Sequence, residues 1–196
     1  SLMYHIYQPT LVKEIGEAYS VAPEIVIDDN MQHRAFEGFE VAPADDYLES
    51  RVPVLVNNDV HLSLAAPRKS VTDYFYKNSS ADELIFVHQG KGKMLSAYGE
   101  LAFSYGDYIN IPRGTAYQLQ FDDEDNRLFI TESFSPIRTP KKYRNKFGQL
   151  LEHSPFYERD IRKPINLPTI DEKGDFKLLI KKNGKIYPYT YANHPF

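Results

Sequence analysis

Short segments in which apolar and polar residues alternate follow one another along residues 52–135. Each segment is rich in Ile, Leu, Phe and Tyr, as in VPVLV, VHLSLA, ELIFVHQ, KMLSAY, YQLQF and RLFITES, and each ends at Gly, Pro, Asn or Asp. Evenly spaced short strands joined by tight turns are typical of a β-sandwich or a β-barrel. The pattern therefore predicts an all-β domain over this range.

The pattern is less regular on both sides of this domain. Residues 1–51 hold short strand candidates, including an edge strand interrupted at Pro9 and others within 20–43, and we expect them to pack on the barrel. Residues 136–196 begin with a proline-rich, aromatic stretch, which indicates an ordered arm lying over a surface. The arm leads to two strand candidates around Asn183 and Gly184, a typical β-hairpin signal.

Composition and charge narrow the class of protein. The longest apolar runs have four or five residues, too few to span a bilayer, and cysteine is absent, which fits a cytoplasmic protein without disulfides. Residues 1–135 hold 10 basic and 21 acidic residues, whereas 136–196 hold 13 basic and 6 acidic ones. We expect the basic segment to pack on its own acidic barrel or on a neighbouring subunit, and not to bind nucleic acid or a membrane.

Glycine and proline spacing identifies a known barrel type. Gly106, Pro112, Gly114 and Tyr117 reproduce the spacing of the second motif of the cupins, in which the last position is a metal-binding histidine. Glu83 and Gly90, seven positions further on, match the end of the first cupin motif, and in both motifs we expect the glycines to turn β-hairpins. The sequence thus resembles a cupin-type β-barrel, or jelly roll, spanning residues 52–135.

The metal ligands of that motif are missing. Counting back from the motif's carboxylate, the two histidine positions fall on Tyr76 and Asn78, or on Lys77 and Ser79, and Tyr117 occupies the third. One carboxylate alone does not hold a catalytic metal ion. We therefore predict no metal ligand and no catalytic residue in this chain, and we interpret Glu83, Gly90, Gly106, Pro112, Gly114 and Tyr117 as a degenerate, structural cupin motif.

Strand alternation assigns the remaining candidates to faces. Glu83 is predicted to point into the barrel, whereas His88, five residues later, points away from it. Tyr117 shares an inner face with Leu119 and Phe121, so we interpret it as a core tyrosine whose hydroxyl group finds a buried partner. His61 has no partner at ligand spacing, and His5 and His33 lie in the irregular N-terminal part.

One further cluster of reactive side chains lies in the proline-rich arm. The stretch LLEHSPFYERD brings Glu152, His153 and Tyr157 close together in sequence. Such a set is able to provide acid–base chemistry or metal ligands, although a surface loop with capping residues is the commoner explanation.

Several segments together resemble one family. LMYHIYQPT, NSSADELIFVHQGKGKM, GELAFSYGDYINIPRGT, LLEHSPFYERD and YPYTYANHPF look like the N-terminal half of a homogentisate 1,2-dioxygenase. The resemblance implies a double cupin with a metal-free first barrel and a second barrel that carries Fe(II). It also implies ring cleavage of homogentisate, a small aromatic acid, by O2 to maleylacetoacetate in tyrosine and phenylalanine catabolism, by subunits that form trimers or hexamers.

The iron ligands of that family have no matching positions in this sequence, so no residue of this chain is assigned as an iron ligand. We expect the chain to be a fragment that lacks the C-terminal cupin half, binds no Fe(II) itself and is inactive alone. Two alternatives stay open. One is a complete metal-free single cupin that binds a small molecule, and the other, less favoured, is an isomerase-type cupin with a His–Asp or tyrosine acid–base group.

Overall fold

The structure, a computed structural model, describes residues 5–8, 10–27 and 32–196. Within these residues the chain forms three short 3₁₀ turns, at Gly38–Glu40, Lys141–Tyr143 and Glu158–Asp160. It also forms thirteen strands: β1 Val12–Ile15, β2 Tyr19–Ser20, β3 Val52–Val56, β4 Val60–Ala65, β5 Phe75–Asn78, β6 Asp82–Gln89, β7 Gly92–Ser96, β8 Gly99–Phe103, β9 Tyr108–Ile111, β10 Ala116–Phe121, β11 Arg127–Ser133, β12 Lys173–Lys182 and β13 Lys185–Asn193.

The strands form two sheets. The larger sheet has the order β1, β13, β12, β5, β10, β7, β8, with β2 also paired to β13, and the smaller has the order β3, β4, β11, β6, β9. From β5 to β11 the chain crosses repeatedly between the two sheets, which is the connectivity of a jelly roll. The predicted all-β, cupin-type architecture is therefore confirmed.

The core lies between the sheets and follows the alternation of the sequence. Ile85 and Val87 of β6, Leu119 of β10 and Ile130 of β11 are at most 1% exposed. Each such side chain contributes roughly 1.5–3 kcal/mol when it is buried. Along β6 the intervening residues are more exposed, so the two faces of the strand separate as its pattern predicts.

The C-terminal hairpin extends the larger sheet. Asn183 and Gly184 join β12 to β13 with φ angles of 50° and 71°, and such positive angles at both central residues are those of a type I′ turn, which confirms the predicted hairpin. Strand β12 runs parallel to β5, with Leu179 opposite Tyr76 and Lys181 opposite Asn78. The last part of the chain is thus joined to the barrel by backbone hydrogen bonds.

Two predictions about local structure are corrected. Of the strand candidates within 20–43, the described residues contain only the end of β2 and a 3₁₀ turn, because Ile25, Val26 and Ile27 are 70–89% exposed and have no sheet to pack on. Pro9, the predicted interruption, lies outside the described residues.

The motif glycines also do not turn hairpins. Gly90 links β6 to β7, and Gly106 and Gly114 link β8 to β9 and β9 to β10, each time between different sheets.

The described part of the chain has no helix long and apolar enough to cross a membrane.

Basic residues of the C-terminal segment contact acidic residues of the barrel. Arg162 forms an ion pair of 2.5 Å with Asp107, and Lys181 forms one of 2.7 Å with Glu132. The backbone of Ile165 also exchanges two hydrogen bonds with Glu100 of β8, at 2.7 and 2.8 Å.

Candidate functional site

The positions where a metal-binding cupin holds its ligands converge inside the barrel. Tyr76 and Asn78 lie on β5, and Tyr117 lies opposite Tyr76 on the neighbouring strand β10. Their rings meet edge to face with centroids 5.4 Å apart. Glu83 approaches from β6 in the other sheet, and all four side chains are at most 3% exposed. The structure therefore agrees with the alignment in which the two histidine positions of the motif fall on Tyr76 and Asn78.

A guanidinium group binds the remaining carboxylate. Arg51 Nη1 donates to Glu83 Oε1 at 2.9 Å, and the Tyr117 hydroxyl donates to Glu83 Oε2 at 2.8 Å. The Tyr47 hydroxyl lies 3.4 Å from that of Tyr117, and the Tyr47 ring lies under the guanidinium carbon of Arg51 at 5.6 Å. A buried carboxylate requires such partners, because an isolated charge in the interior is strongly disfavoured. The predicted role of Tyr117 as a core tyrosine with a bonded hydroxyl agrees with this geometry.

A second buried carboxylate continues the network. Glu132 of β11 accepts hydrogen bonds from Lys181 Nζ at 2.7 and 2.8 Å and from Asn78 Nδ2 at 2.6 Å, and it lies 3.5 Å from Arg51 Nη2. Burial alone would raise the pKa of Glu132, but Arg51 and Lys181 lower it below its usual value. Two cations thus neutralise two anions in the barrel interior.

The tyrosines of this network stay protonated. Burial, reinforced by the nearby charge of Glu83, raises the pKa of Tyr76 and Tyr117 well above 10. Burial likewise raises the pKa of Tyr47, although Arg51 opposes the effect. At neutral pH these hydroxyl groups are therefore hydrogen-bond donors.

These residues do not fit a divalent metal ion. Imidazole nitrogens are absent from the four ligand positions, and the single carboxylate among them is already bound by a guanidinium group, whose charge takes the place of a metal cation. The described residues also contain no group of three or more His, Asp or Glu side chains arranged to hold an ion.

The spacing of the degenerate motif has a backbone explanation. Gly90, Gly106 and Gly114 have φ angles of 100°, 88° and 83°, which L side chains rarely adopt, and they redirect the chain from one sheet to the other. The Gly114 N–H donates to the Asn78 carbonyl at 2.7 Å, and Pro112 accepts from the Thr115 N–H at 3.2 Å in the turn before β10.

The histidines occupy none of the four ligand positions, although His61 lines the same cavity as Tyr76. His88 is exposed on the outer face of β6, as the alternation predicts, and its ring packs against Phe39 with centroids 4.7 Å apart. His61 is half-buried against Phe134 at 4.9 Å, and burial lowers its pKa. His5 and His33 are both exposed.

The cluster in the arm is a surface turn. Glu152 and His153 are exposed, and the Tyr157 hydroxyl donates to the backbone carbonyl of Glu152 and not to its carboxylate. The Tyr157 N–H in turn donates to Asp160 Oδ2 at 2.8 Å, beside a 3₁₀ turn. These contacts stabilise a loop and do not assemble an acid–base pair.

The network also borders a cavity of about 730 Å³. Arg51, Glu132 and Lys181, which line it, were not among the sequence candidates. The sequence did carry a signal for Glu132, because it follows Leu128 and Ile130 at intervals of two residues and therefore shares their buried, inward face. Arg51 carried none, since it precedes β3 in an irregular segment and only the tertiary fold brings it to Glu83.

Comparison with known proteins places the chain in a family. Residues 47–196 match the family described as homogentisate 1,2-dioxygenase N-terminal. A relative from Saccharolobus solfataricus, named "Putative dioxygenase SSO1533", is 35% identical over the whole chain, and the chain spans half of that relative's length.

Solved structures with similar folds match about half of the chain. A cupin-2 domain protein from Shewanella frigidimarina has 18% identity and a TM-score of 0.38, covering 43% of this chain and 79% of its own. KdgF from Halomonas sp. has 16% identity and a TM-score of 0.40, covering 44% of this chain and 78% of its own.

By the match over residues 47–196, this chain belongs to the homogentisate 1,2-dioxygenase N-terminal family, a family of dioxygenases.

Proposed function

We propose that this chain is the structural, non-catalytic barrel of an Fe(II)-dependent dioxygenase that opens the ring of homogentisate with O2 to give maleylacetoacetate. The observation that carries the proposal is the guanidinium of Arg51 on Glu83, which replaces a metal ion with a permanent cation. The iron then belongs to a second cupin barrel outside these residues. The match to a relative of twice this length supports that arrangement.

The wider setting follows from the same proposal. A ring-cleaving dioxygenase of this kind would act in tyrosine and phenylalanine catabolism in the cytoplasm, and its subunits would associate as trimers or hexamers. The barrel described above would contribute stability and packing surface to that assembly, while its own buried charges remain internally paired.

Iron content and O2 uptake test the proposal. The coding sequence is read past Phe196, and both the longer protein and chain 1–196 are purified. We expect the longer protein to hold stoichiometric iron by elemental analysis and to consume O2 with homogentisate, and chain 1–196 to do neither. Stoichiometric iron in chain 1–196 would contradict the proposal that this barrel is structural. O2 uptake with a different aromatic acid, and none with homogentisate, would contradict the proposed substrate.

A Tyr117→Phe variant of the longer protein is the matched control. It removes the hydrogen bond at the position that corresponds to a cupin ligand while it keeps the ring. We expect unchanged iron content and turnover, with a loss of stability only. A selective loss of iron at unchanged stability would show that the first barrel takes part in metal binding.

A further inference from the structure

A cavity of about 730 Å³ is lined by residues of both sheets. Its wall includes residues of β2, β5, β12 and β13 from the larger sheet and of β3, β4 and β11 from the smaller one, together with the segment 46–51. The volume lies within the range of roughly 300–1,000 Å³ that is typical of small-molecule sites. The cavity is therefore large enough for a ligand.

Two buried donors at this cavity make no hydrogen bond within the described part of the chain, although Arg51 Nη2 lies 3.5 Å from Glu132 Oε2 as an ion pair. The Tyr76 side chain is 1% exposed and its hydroxyl group is unpaired, and Arg51 Nη2 makes no hydrogen bond although its Nη1 binds Glu83. Both residues line the cavity. Because buried polar groups in folded proteins are nearly always paired, the Tyr76 hydroxyl in particular indicates a missing acceptor.

Two of the carboxylates that line the cavity, those of Asp46 and Glu132, are already engaged, and Glu24, Glu49, Lys177 and His61 also line it. The Asp46 carboxylate accepts from the Tyr74 hydroxyl at 2.7 Å, and Glu132 accepts twice from Lys181 at 2.7 and 2.8 Å. The raised pKa of Tyr76 keeps its hydroxyl protonated. The complementary group on a ligand is therefore an acceptor oxygen for this hydroxyl.

Charge balance and the apolar wall define the rest of the ligand. The formal charges of Arg51 and Lys181 cancel those of Glu83 and Glu132, so an added anion would be left uncompensated in a buried site. Leu48, Leu179 and Ile186 contribute apolar wall beside the tyrosine rings.

We propose that this cavity binds a small uncharged molecule with an apolar body and a hydroxyl or carbonyl oxygen, which accepts hydrogen bonds from Tyr76 and Arg51. This binding site is independent of the proposed dioxygenase function, because it involves neither iron nor O2. The ligand would complete the hydrogen bonding of the barrel network that replaces the metal.

Titration calorimetry and ligand-observed NMR with three matched probes test the site. Benzyl alcohol carries the neutral acceptor oxygen, toluene lacks it, and benzoate replaces it with a charge. We expect benzyl alcohol to bind, and toluene and benzoate each to bind at least about 5-fold more weakly, the ratio expected for one net hydrogen bond. Failure of benzyl alcohol to bind, or tighter binding of benzoate, would overturn the proposal.

A Tyr76→Phe variant locates the contact. It keeps the ring and removes an unpaired hydroxyl, so we expect an unchanged or higher melting temperature without ligand but about 5- to 10-fold weaker binding of benzyl alcohol. Tyr98→Phe, at a tyrosine that is 48% exposed and outside this cavity, is the control and should bind like the parent protein. Equal affinity of Tyr76→Phe and the parent would contradict the site.

A labelling experiment keeps the test independent of that variant's folding. Ring-labelled tyrosine in the parent protein reports the chemical shift of each tyrosine during the benzyl alcohol titration. We expect the largest change at Tyr76 and little change at Tyr98. Saturable shifts confined to tyrosines outside the cavity would count against the proposal.

Discussion

At the scale of single residues, Arg51 decides the chemistry of the barrel. Its guanidinium group binds Glu83 at 2.9 Å, where a metal-binding cupin would use the same carboxylate as a ligand. A planar cation that is always charged also reaches Glu132 at 3.5 Å, and so one residue compensates two buried anions. One arginine thus provides the positive charge that a metal ion provides in a metal-binding cupin.

Replacing Arg51 with methionine tests this role. The variant leaves Glu83 buried without its cation, so we expect a loss of about 3–5 kcal/mol in the free energy of unfolding, measured by urea denaturation at neutral pH. The double variant Arg51→Met, Glu83→Gln removes the uncompensated charge and should recover part of that loss. A single variant that costs less than about 1 kcal/mol would refute the role, because exposed ion pairs have energies of that order.

At the scale of elements, the motif glycines connect sheets. Gly90 follows β6 in the smaller sheet and leads to β7 in the larger one, with a φ angle of 100°. A Cβ atom at this position would lie 2.0 Å from Asn126 Oδ1, whose side chain is 1% exposed and bound to the Pro67 carbonyl. The crossing therefore depends on both backbone conformation and close packing.

A pair of glycine substitutions separates these two effects. Gly106 has a similar φ angle of 88°, but a Cβ atom added there would have nothing within 4 Å, so Gly106→Ala should lose only the conformational part, about 1 kcal/mol. Gly90→Ala adds the clash with Asn126, and we expect it to cost at least about 2 kcal/mol more, in line with overpacking of a buried site. Equal midpoints in thermal unfolding for the two variants would contradict the packing argument.

At the scale of the whole molecule, the C-terminal hairpin completes the barrel. Strand β12 pairs in parallel with β5, and Leu178, Leu179 and Ile186 of the hairpin are at most 5% exposed. Lys181 of the same strand binds Glu132 on the opposite sheet. The hairpin thus supplies core surface, backbone pairing and one of the two cations of the network.

Truncation after Glu172 tests this dependence. Without β12 and β13, strand β5 becomes a sheet edge and Glu132 loses Lys181, so we expect loss of cooperative unfolding and of the near-UV circular dichroism signal. Lys177→Ala, an exposed change on β12, is the control and should unfold like the parent chain. A truncated chain with an unchanged unfolding midpoint would show that the hairpin is dispensable.

The jelly roll and the missing histidines were predictable from local information. Alternation along β6 and β10 places Glu83 and Tyr117 on inner faces, and the hairpin around Asn183 follows from turn preferences of adjacent residues. The direction of the glycine turns was not predictable, because a positive φ angle serves a hairpin and a crossing between sheets equally well.

The sequence by itself determined the fold class, the inner faces of the strands and the absence of the cupin histidine ligands, since these depend on residue type and spacing along one strand. Only the tertiary structure decided that Arg51 and Lys181 neutralise Glu83 and Glu132, and that Tyr76 faces a cavity with a hydroxyl that no described residue pairs. Charge pairing in a low-dielectric interior depends on distances between residues remote in sequence, and spacing along the chain does not encode those distances.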